Sequence, residues 1–234
     1  MYIVVSGATK GIGRAIADEF ASRGFHVAAC ARNQADLAKM RTHYAAAFPD
    51  CKLLTFAADL RHKVQAQAFA AEVLRQGGRP DVVVNNAGAF LPGAIHDEPE
   101  GRLEEMISVN LYSAYHLTRA LLPSMLETGK GHIFNMCSIA SLHAYPDGGS
   151  YSISKFALLG FSKNLREELK DKGIKVTSIM PGATWSASWA GADFPEDRLM
   201  QAADIANAVW SAWSMSPAAV VEDIVIRPQL GDLP

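Results

Sequence analysis

The chain has 234 residues, 22 basic against 24 acidic side chains, a formal net charge of -2, and 49% apolar residues. This is an ordinary globular composition without the basic excess a nucleic-acid partner demands, and no apolar run approaches the ~18 residues of a membrane helix. Cys30, Cys51 and Cys137 show no CxxC spacing, which argues against a disulfide framework or a zinc site. The expectation is a cytoplasmic enzyme or binding domain, on a length that fits one α/β domain or two small ones.

In chain order, Tyr2–Ser6 reads as a short apolar strand, and Gly7 follows it too soon for a secretory core. Ile12–Arg23 has apolar residues at three-to-four spacing and a stop signal at Gly24. Phe25–Ala31 is the second strand and Gln34–Phe48 the second helix. Lys52–Ala57 and Asp81–Asn85 are strands on either side of the helical stretch Val64–Gln76. A long helix is predicted over Leu103–Leu126, with Pro123 bending its last turns. Ile133–Ser138 and Lys175–Met180 are strands around a second long helix, Ser150–Asp171. Ala203–Met215 is a helix and Asp223–Arg227 the last strand. Alternating βα units whose strands are apolar on both faces predict a Rossmann-like doubly wound parallel sheet of about seven strands, covered by helices on each side. Such sheets bind ligands beyond the carboxyl ends of their strands, so the chemistry is sought just after each strand.

After the first strand the chain reads Ser6-Gly7-Ala8-Thr9-Lys10-Gly11-Ile12-Gly13 and runs straight into a helix. Amides at a helix N-terminus attract phosphate, and glycines let a pyrophosphate approach closely. The GxxxGxG spacing differs from the common GxGxxG dinucleotide pattern. The order of later motifs is also informative. Asn85-Asn86-Ala87-Gly88 follows the fourth strand, Asn110 lies in the long helix, and Ser138 ends the fifth strand. Tyr151 and Lys155 form a YxxxK pair, and Pro181-Gly182 follows the sixth strand, with Thr184 and Ser186 behind. On these residues the chain resembles the short-chain dehydrogenase/reductase family, whose nucleotide turn is TGxxxGxG; Ser6 replaces the usual threonine and keeps a hydroxyl. The resemblance implies a single domain over 1–234 with a short substrate lid at about 184–198. It further implies cofactor contacts from Ser6, Gly7, Thr9, Lys10, Gly11, Ile12 and Gly13. Others would come from Asn86, Ala87, Gly88, Pro181, Gly182, Thr184, Tyr151 and Lys155.

An NAD enzyme typically carries an acid after the second strand to bind the ribose 2′-hydroxyl. Here that strand ends Ala31-Arg32-Asn33, with no acid before Asp36. Arg32 is placed to fork onto a 2′-phosphate, and Lys10 adds a second cation. In the family a basic residue at either position implies NADP. Asp59 and Leu60, after the third strand, match the family's adenine-binding segment; Asp59 alone also reads as a helix N-cap.

Tyr151 and Lys155, four apart on a predicted helix, lie on nearly one face about 6 Å apart along its axis. Tyrosine normally titrates near ~10, and a lysine cation about 4 Å away is expected to lower that by up to about three units. Ser138 is placed to stabilise alkoxide character on a substrate oxygen. The resemblance makes Asn110, Ser138, Tyr151 and Lys155 the catalytic set, with Asn110 holding a water that links Lys155 to solvent. The expected reaction is hydride transfer between NADP(H) and a small ketone or aldehyde, or the corresponding alcohol. The alternative is a non-catalytic NADP(H)-binding sensor on the same fold. Candidate pocket residues are Phe90, Leu91, Ile139, Leu142, His143, Tyr145, Trp185 and Trp189, with no evident anion clamp. The long helices resemble the family's subunit interface, which implies a homodimer or homotetramer.

Overall fold

Every residue of β1 (Tyr2–Ser6) is buried, because both faces of this β-branched strand are covered by helices. The computed structural model describes residues 1–76, 78–185 and 195–231. Around β1 lie β2 (His26–Ala31), β3 (Leu53–Ala57), β4 (Val82–Asn85), β5 (Gly131–Met136), β6 (Ile174–Pro181) and β7 (Asp223–Ile226). Their spatial order is β3-β2-β1-β4-β5-β6-β7, and each paired strand runs parallel to its neighbour. The predicted doubly wound sheet is therefore what the chain forms. Its strand order reverses between β1 and β4, and a crevice opens there at the carboxyl ends.

The helices are α1 (Gly11–Ser22), α2 (Gln34–Ala47), α3 (Lys63–Gln76), α4 (Arg102–Ile107), α5 (Ser113–Thr128), α6 (Gly149–Leu169) and α7 (Ala202–Trp213). Strand residues alternate between two cores with the period of two that pleating dictates. Ile3, Val5, Val27, Ala29, Val82 and Val84 face α1 and α7; Val4, Ala28, Val83, Ile133 and Val176 face α3, α5 and α6. On the first side Phe20 meets Phe25 and Trp210 edge-on, with ring centroids 5.0 and 5.2 Å apart. On the second side a polar seam runs behind the site. Asn85 donates to Thr118 and to Asn135, each at 2.8 Å, Asn135 donates to Ser162 at 3.0 Å, and Ser178 donates to Ser162 at 2.9 Å. Most buried polar groups are paired in this way, although the Asn85 Oδ1 has no partner among the described residues. The seam ties β4, β5 and β6 to one another through side chains as well as through the sheet.

The helix predicted over Leu103–Leu126 requires correction. Between α4 and α5 the backbone widens into a π-turn over Ser108–Tyr112, where the Ser113 hydroxyl donates to the Val109 carbonyl at 2.6 Å. Such insertions mark functional segments, and Asn110 lies inside this one. α5 continues past the predicted end at Leu126 to Thr128 and stops at left-handed Gly129, with Pro123 inside it. The stop at Gly24 is as expected, with φ +84°.

Candidate active site

The glycine turn is built for close approach. Gly7 and Gly11 have φ of +66° and +53°, in the left-handed region that side chains resist. A Cβ on Gly13 would strike the Gly7 carbonyl and the Asn86 side chain. Asn86 holds the turn from the β4 side, its amide donating to the Ser6 and Gly7 carbonyls at 3.0 and 3.1 Å. Ser6, expected to touch cofactor, spends its hydroxyl elsewhere. It accepts the amides of Asn86 and Ala87 at 2.9 and 3.0 Å and donates to the Val84 carbonyl at 3.3 Å. Ser6, Gly11 and Gly13 therefore shape the turn from behind, and none of the three lines either of the two cavities beside it. Gly13→Ala is expected to cost about 1–3 kcal/mol of stability through overpacking and to weaken NADPH binding. Urea denaturation with an unchanged midpoint would contradict this.

Two cavities meet at Gly88. The smaller, about 440 Å³, is lined by Gly7, Thr9, Leu60 and Ala87, and by the charged residues Lys10, Arg32, Arg61, Asp36 and Asp59. Lys10 differs from expectation: its ammonium pairs with Asp36 at 2.9 Å, an acid carried there by the first turn of α2. Asn33 starts that turn by accepting the Ala35 and Asp36 amides at 2.8 and 3.1 Å. Asp59 likewise is gripped by Arg61, with Nη2 at 2.6 Å from its carboxylate, which holds the carboxyl below its ordinary range. Asp59 thus caps a local turn ahead of α3 rather than α3 itself. Arg32 stands exposed at the end of β2. Three cations against two carboxylates leave this cavity net positive. Asp36 and Arg61 were missed because neither falls within a motif; only the fold brings them to the strand ends.

The larger cavity, about 960 Å³, holds Ser138, Tyr151 and Lys155 together with Ile12, Asn86, Pro181, Gly182 and Thr184. Ser138, predicted to end the fifth strand, lies two residues past β5 in extended backbone and starts the short turn Ile139–Ser141. Its hydroxyl accepts the Ala140 amide at 3.1 Å, and its own amide is held by the Ser141 hydroxyl at 3.2 Å. Ser138 lies close enough to Tyr151 to pull its phenol pKa downward. Lys155 is buried at 6% exposure and donates to the Met136 carbonyl at 2.8 Å.

The expected lowering of Tyr151 by Lys155 is not found. The ammonium lies over the ring, 5.8 Å from its centroid, rather than at the phenol oxygen. Burial pushes the phenol up to about 12, with Ser138 pulling the other way. Burial also presses Lys155 down, from its ordinary 10.5 to about 8. Cys137 is a buried packing residue as expected, its thiol pushed up to about 12 by desolvation.

Asn110 is buried behind Gly88 and lines neither cavity. Its carboxamide does not face solvent as a water holder would. Its oxygen accepts the Ala89 amide at 2.8 Å, and its nitrogen donates to the Ala89 carbonyl at 3.1 Å and to the Ser154 hydroxyl at 2.8 Å. Ser154 in turn donates to the Tyr151 carbonyl at 2.7 Å, a link the motifs did not signal. A Cβ on Gly88 would lie 2.9 Å from the Asn110 oxygen and 3.6 Å from Lys155, so the floor here fits backbone alone.

Of the predicted pocket residues, Phe90, Ile139, Leu142, His143 and Tyr145 line the larger cavity, whereas Leu91 and Trp185 do not. Trp185 instead donates its amide to the Met200 carbonyl at 2.7 Å. Ser186, Trp189 and most of the predicted lid lie outside the described residues. Arg227, at the end of β7, also lines this cavity, so the wall is less neutral than the sequence indicated.

A family model described as short chain dehydrogenase matches residues 1–193. A sepiapterin reductase of Chlorobaculum tepidum is 32% identical over 241 residues, covering 99% of this chain and 97% of its own. An uncharacterized oxidoreductase of Staphylococcus epidermidis is 32% identical over 225 residues, covering 96% of each. Among solved structures, an alcohol dehydrogenase of the archaeon Thermococcus sibiricus, complexed with 5-hydroxy-NADP, superposes with a TM-score of 0.90. It shares 26% identity and covers 100% of this chain and 98% of its own. A metagenomic short-chain oxidoreductase in complex with NADP gives 0.84 at 31% identity, covering 98% and 97%. With the match extending over most of its length, the chain belongs to the short-chain dehydrogenase family.

Proposed function

We propose that the protein is an NADP(H)-dependent oxidoreductase, one domain throughout, that reduces a small ketone or aldehyde or oxidises the corresponding alcohol. The observation that carries this reading is the meeting of Ser138 and Tyr151 at the wall of the larger cavity, with the buried Lys155 beside them.

The site fits the cofactor on its own features. The glycine turn admits a phosphate without a side chain in the way, Gly88 leaves the floor open between the two cavities, and the smaller cavity is net positive. Gly7, Thr9, Lys10, Arg32, Asp59 and Leu60 would hold the adenosine end. Ile12, Asn86, Gly88, Lys155, Pro181, Gly182 and Thr184 would hold the nicotinamide end. When bound, the cofactor supplies the hydride for reduction or accepts it in oxidation.

The remaining chemistry belongs to side chains. A carbonyl oxygen placed between Ser138 and Tyr151 receives a hydrogen bond from the first and a proton from the second. Ser138 has its lone pair on the Ala140 amide and keeps its own proton to donate, which stabilises the charge developing on that oxygen. A phenol held at about 12 by burial stays protonated at neutral pH and suits the reductive direction. Lys155, fixed on the Met136 carbonyl, places a cation beside the reacting groups. Tyr112, Tyr115, Ile153 and Phe156, 46, 37, 43 and 44% exposed along α5, α6 and the π-turn, support a homodimer or homotetramer. Composition supports a cytoplasmic location.

The test is NADPH oxidation across a panel of ketones and aldehydes, with coenzyme affinities from fluorescence titration. NADPH is expected to bind more tightly than NADH. Arg32→Ala is expected to weaken NADPH about tenfold, the worth of one charge-assisted hydrogen bond, and to leave NADH unchanged. Equal affinities would overturn the NADP reading, and tight binding without turnover of any carbonyl would overturn the enzymatic one.

A further inference from the structure

Glu98 belongs to none of the motifs and lines neither cavity, yet it reaches the start of the helix that carries Tyr151. Its Oε1 accepts the Ser150 amide at 2.9 Å, and its Oε2 accepts the Ser150 hydroxyl. The first amides of a helix lack partners within it. Here the N-cap residue is Gly148, which has no side chain to supply one. A carboxylate from another segment takes that place, at the positive end of the helix dipole, where an anion is favoured. These bonds hold Glu98 below its ordinary carboxyl range.

The approach is tight by construction. Gly149 adopts φ +36°, and a Cβ there would collide with the Gly93 carbonyl and the Glu98 carboxylate. The Gly93 amide donates to the Asp147 carbonyl at 2.8 Å. The same segment touches the catalytic helix at two further points. Phe90 packs edge-on against the Tyr151 ring, with centroids 4.8 Å apart. Ala89 holds Asn110, which holds Ser154, which bonds back to the Tyr151 carbonyl.

We propose that Glu98 is a positioning residue: by capping α6 at Ser150 it sets where the neighbouring Tyr151 presents its phenol to Ser138 and to the substrate oxygen. The inference rests on the reading of Tyr151 as proton donor. Without the carboxylate the first turn of α6 frays, and the phenol loses its fixed distance to the reacting oxygen. Small misplacements of this kind cost rate rather than cofactor affinity.

The test uses the whole protein, NADPH, and the carbonyl compound that the panel shows to be turned over fastest. Glu98→Ala is expected to lower kcat about ten- to a hundredfold with the Kd for NADPH unchanged. Glu98→Gln, which keeps an acceptor for the Ser150 amide, is expected to recover most of that loss. Wild-type kcat in Glu98→Ala overturns the proposal, as does a loss of NADPH affinity in step with kcat. If the alanine variant does not accumulate as folded protein, Ser150→Ala decides. It removes the hydroxyl contact alone and is expected to lower kcat severalfold at constant Kd, whereas no change overturns the proposal. A Tyr151→Phe control separates the two readings. If it retains turnover, the assignment of Tyr151 falls; if it is inactive while the Glu98 and Ser150 variants behave as wild type, only the positioning role falls.

Discussion

Tyr151→Phe is expected to lower kcat by about 10²–10⁴, the usual worth of a positioned general acid, while leaving NADPH affinity intact. The substitution removes one oxygen. The ring keeps its edge-on contact with Phe90, and the Tyr151 carbonyl keeps its bond from Ser154, so the catalytic helix has no reason to move. What disappears is the proton and the phenol oxygen beside Ser138. Steady-state rates with a responsive carbonyl, set beside a fluorescence titration with NADPH, separate the two effects. Retained turnover would remove Tyr151 from the mechanism. A parallel collapse of cofactor binding would mean that the hydroxyl serves architecture instead.

Lys155→Met is expected to abolish turnover and yet raise stability. The ammonium is 6% exposed, and burial takes its pKa from 10.5 to about 8. At about 1.4 kcal/mol per pKa unit, keeping this group charged in the fold costs roughly 3 kcal/mol at neutral pH. Methionine has a similar shape and no charge, but it leaves the Met136 carbonyl unpaired, a loss of about 1 kcal/mol or more. The net gain is then on the order of 1–2 kcal/mol. The sign of the pH dependence follows from linkage. Between about 8 and 10.5 the unfolded chain keeps the lysine proton and the folded one releases it. The wild type therefore gains stability as pH rises through that window, and the penalty is fully present below it. The variant lacks this rise. Thermal unfolding of both proteins across the window checks the prediction, and a destabilised variant at neutral pH would refute it.

The order of strands and helices was legible because two-sided burial leaves continuous apolar runs and helices leave a different period. Ser138, Tyr151 and Lys155 were legible because each follows a strand or shares a helical face and because together they match the pattern of the family that the chain resembles. Three things were not. The π-turn at Asn110 lies inside an apolar-periodic run, and no residue type announces it. Charge pairing in the smaller cavity depends on which helix turn faces which strand, so Lys10 looked available until Asp36 was placed beside it. The Tyr151 electrostatics failed because helical spacing gives separation along an axis and says nothing of burial, which raises the phenol, or of the cation's place over the ring.

The reversal of strand order between β1 and β4 divides the molecule's labour. Residues that would choose the coenzyme, from Gly7 through Arg32 to Arg61, all precede β4, while Ser138, Tyr151, Lys155 and Arg227 all follow it. A single chain crossing ahead of β4 therefore separates the inheritance of redox currency from the inheritance of substrate range. Relatives recombined at that joint would exchange the coenzyme-facing half only where the core that α1 and α7 share across it is kept.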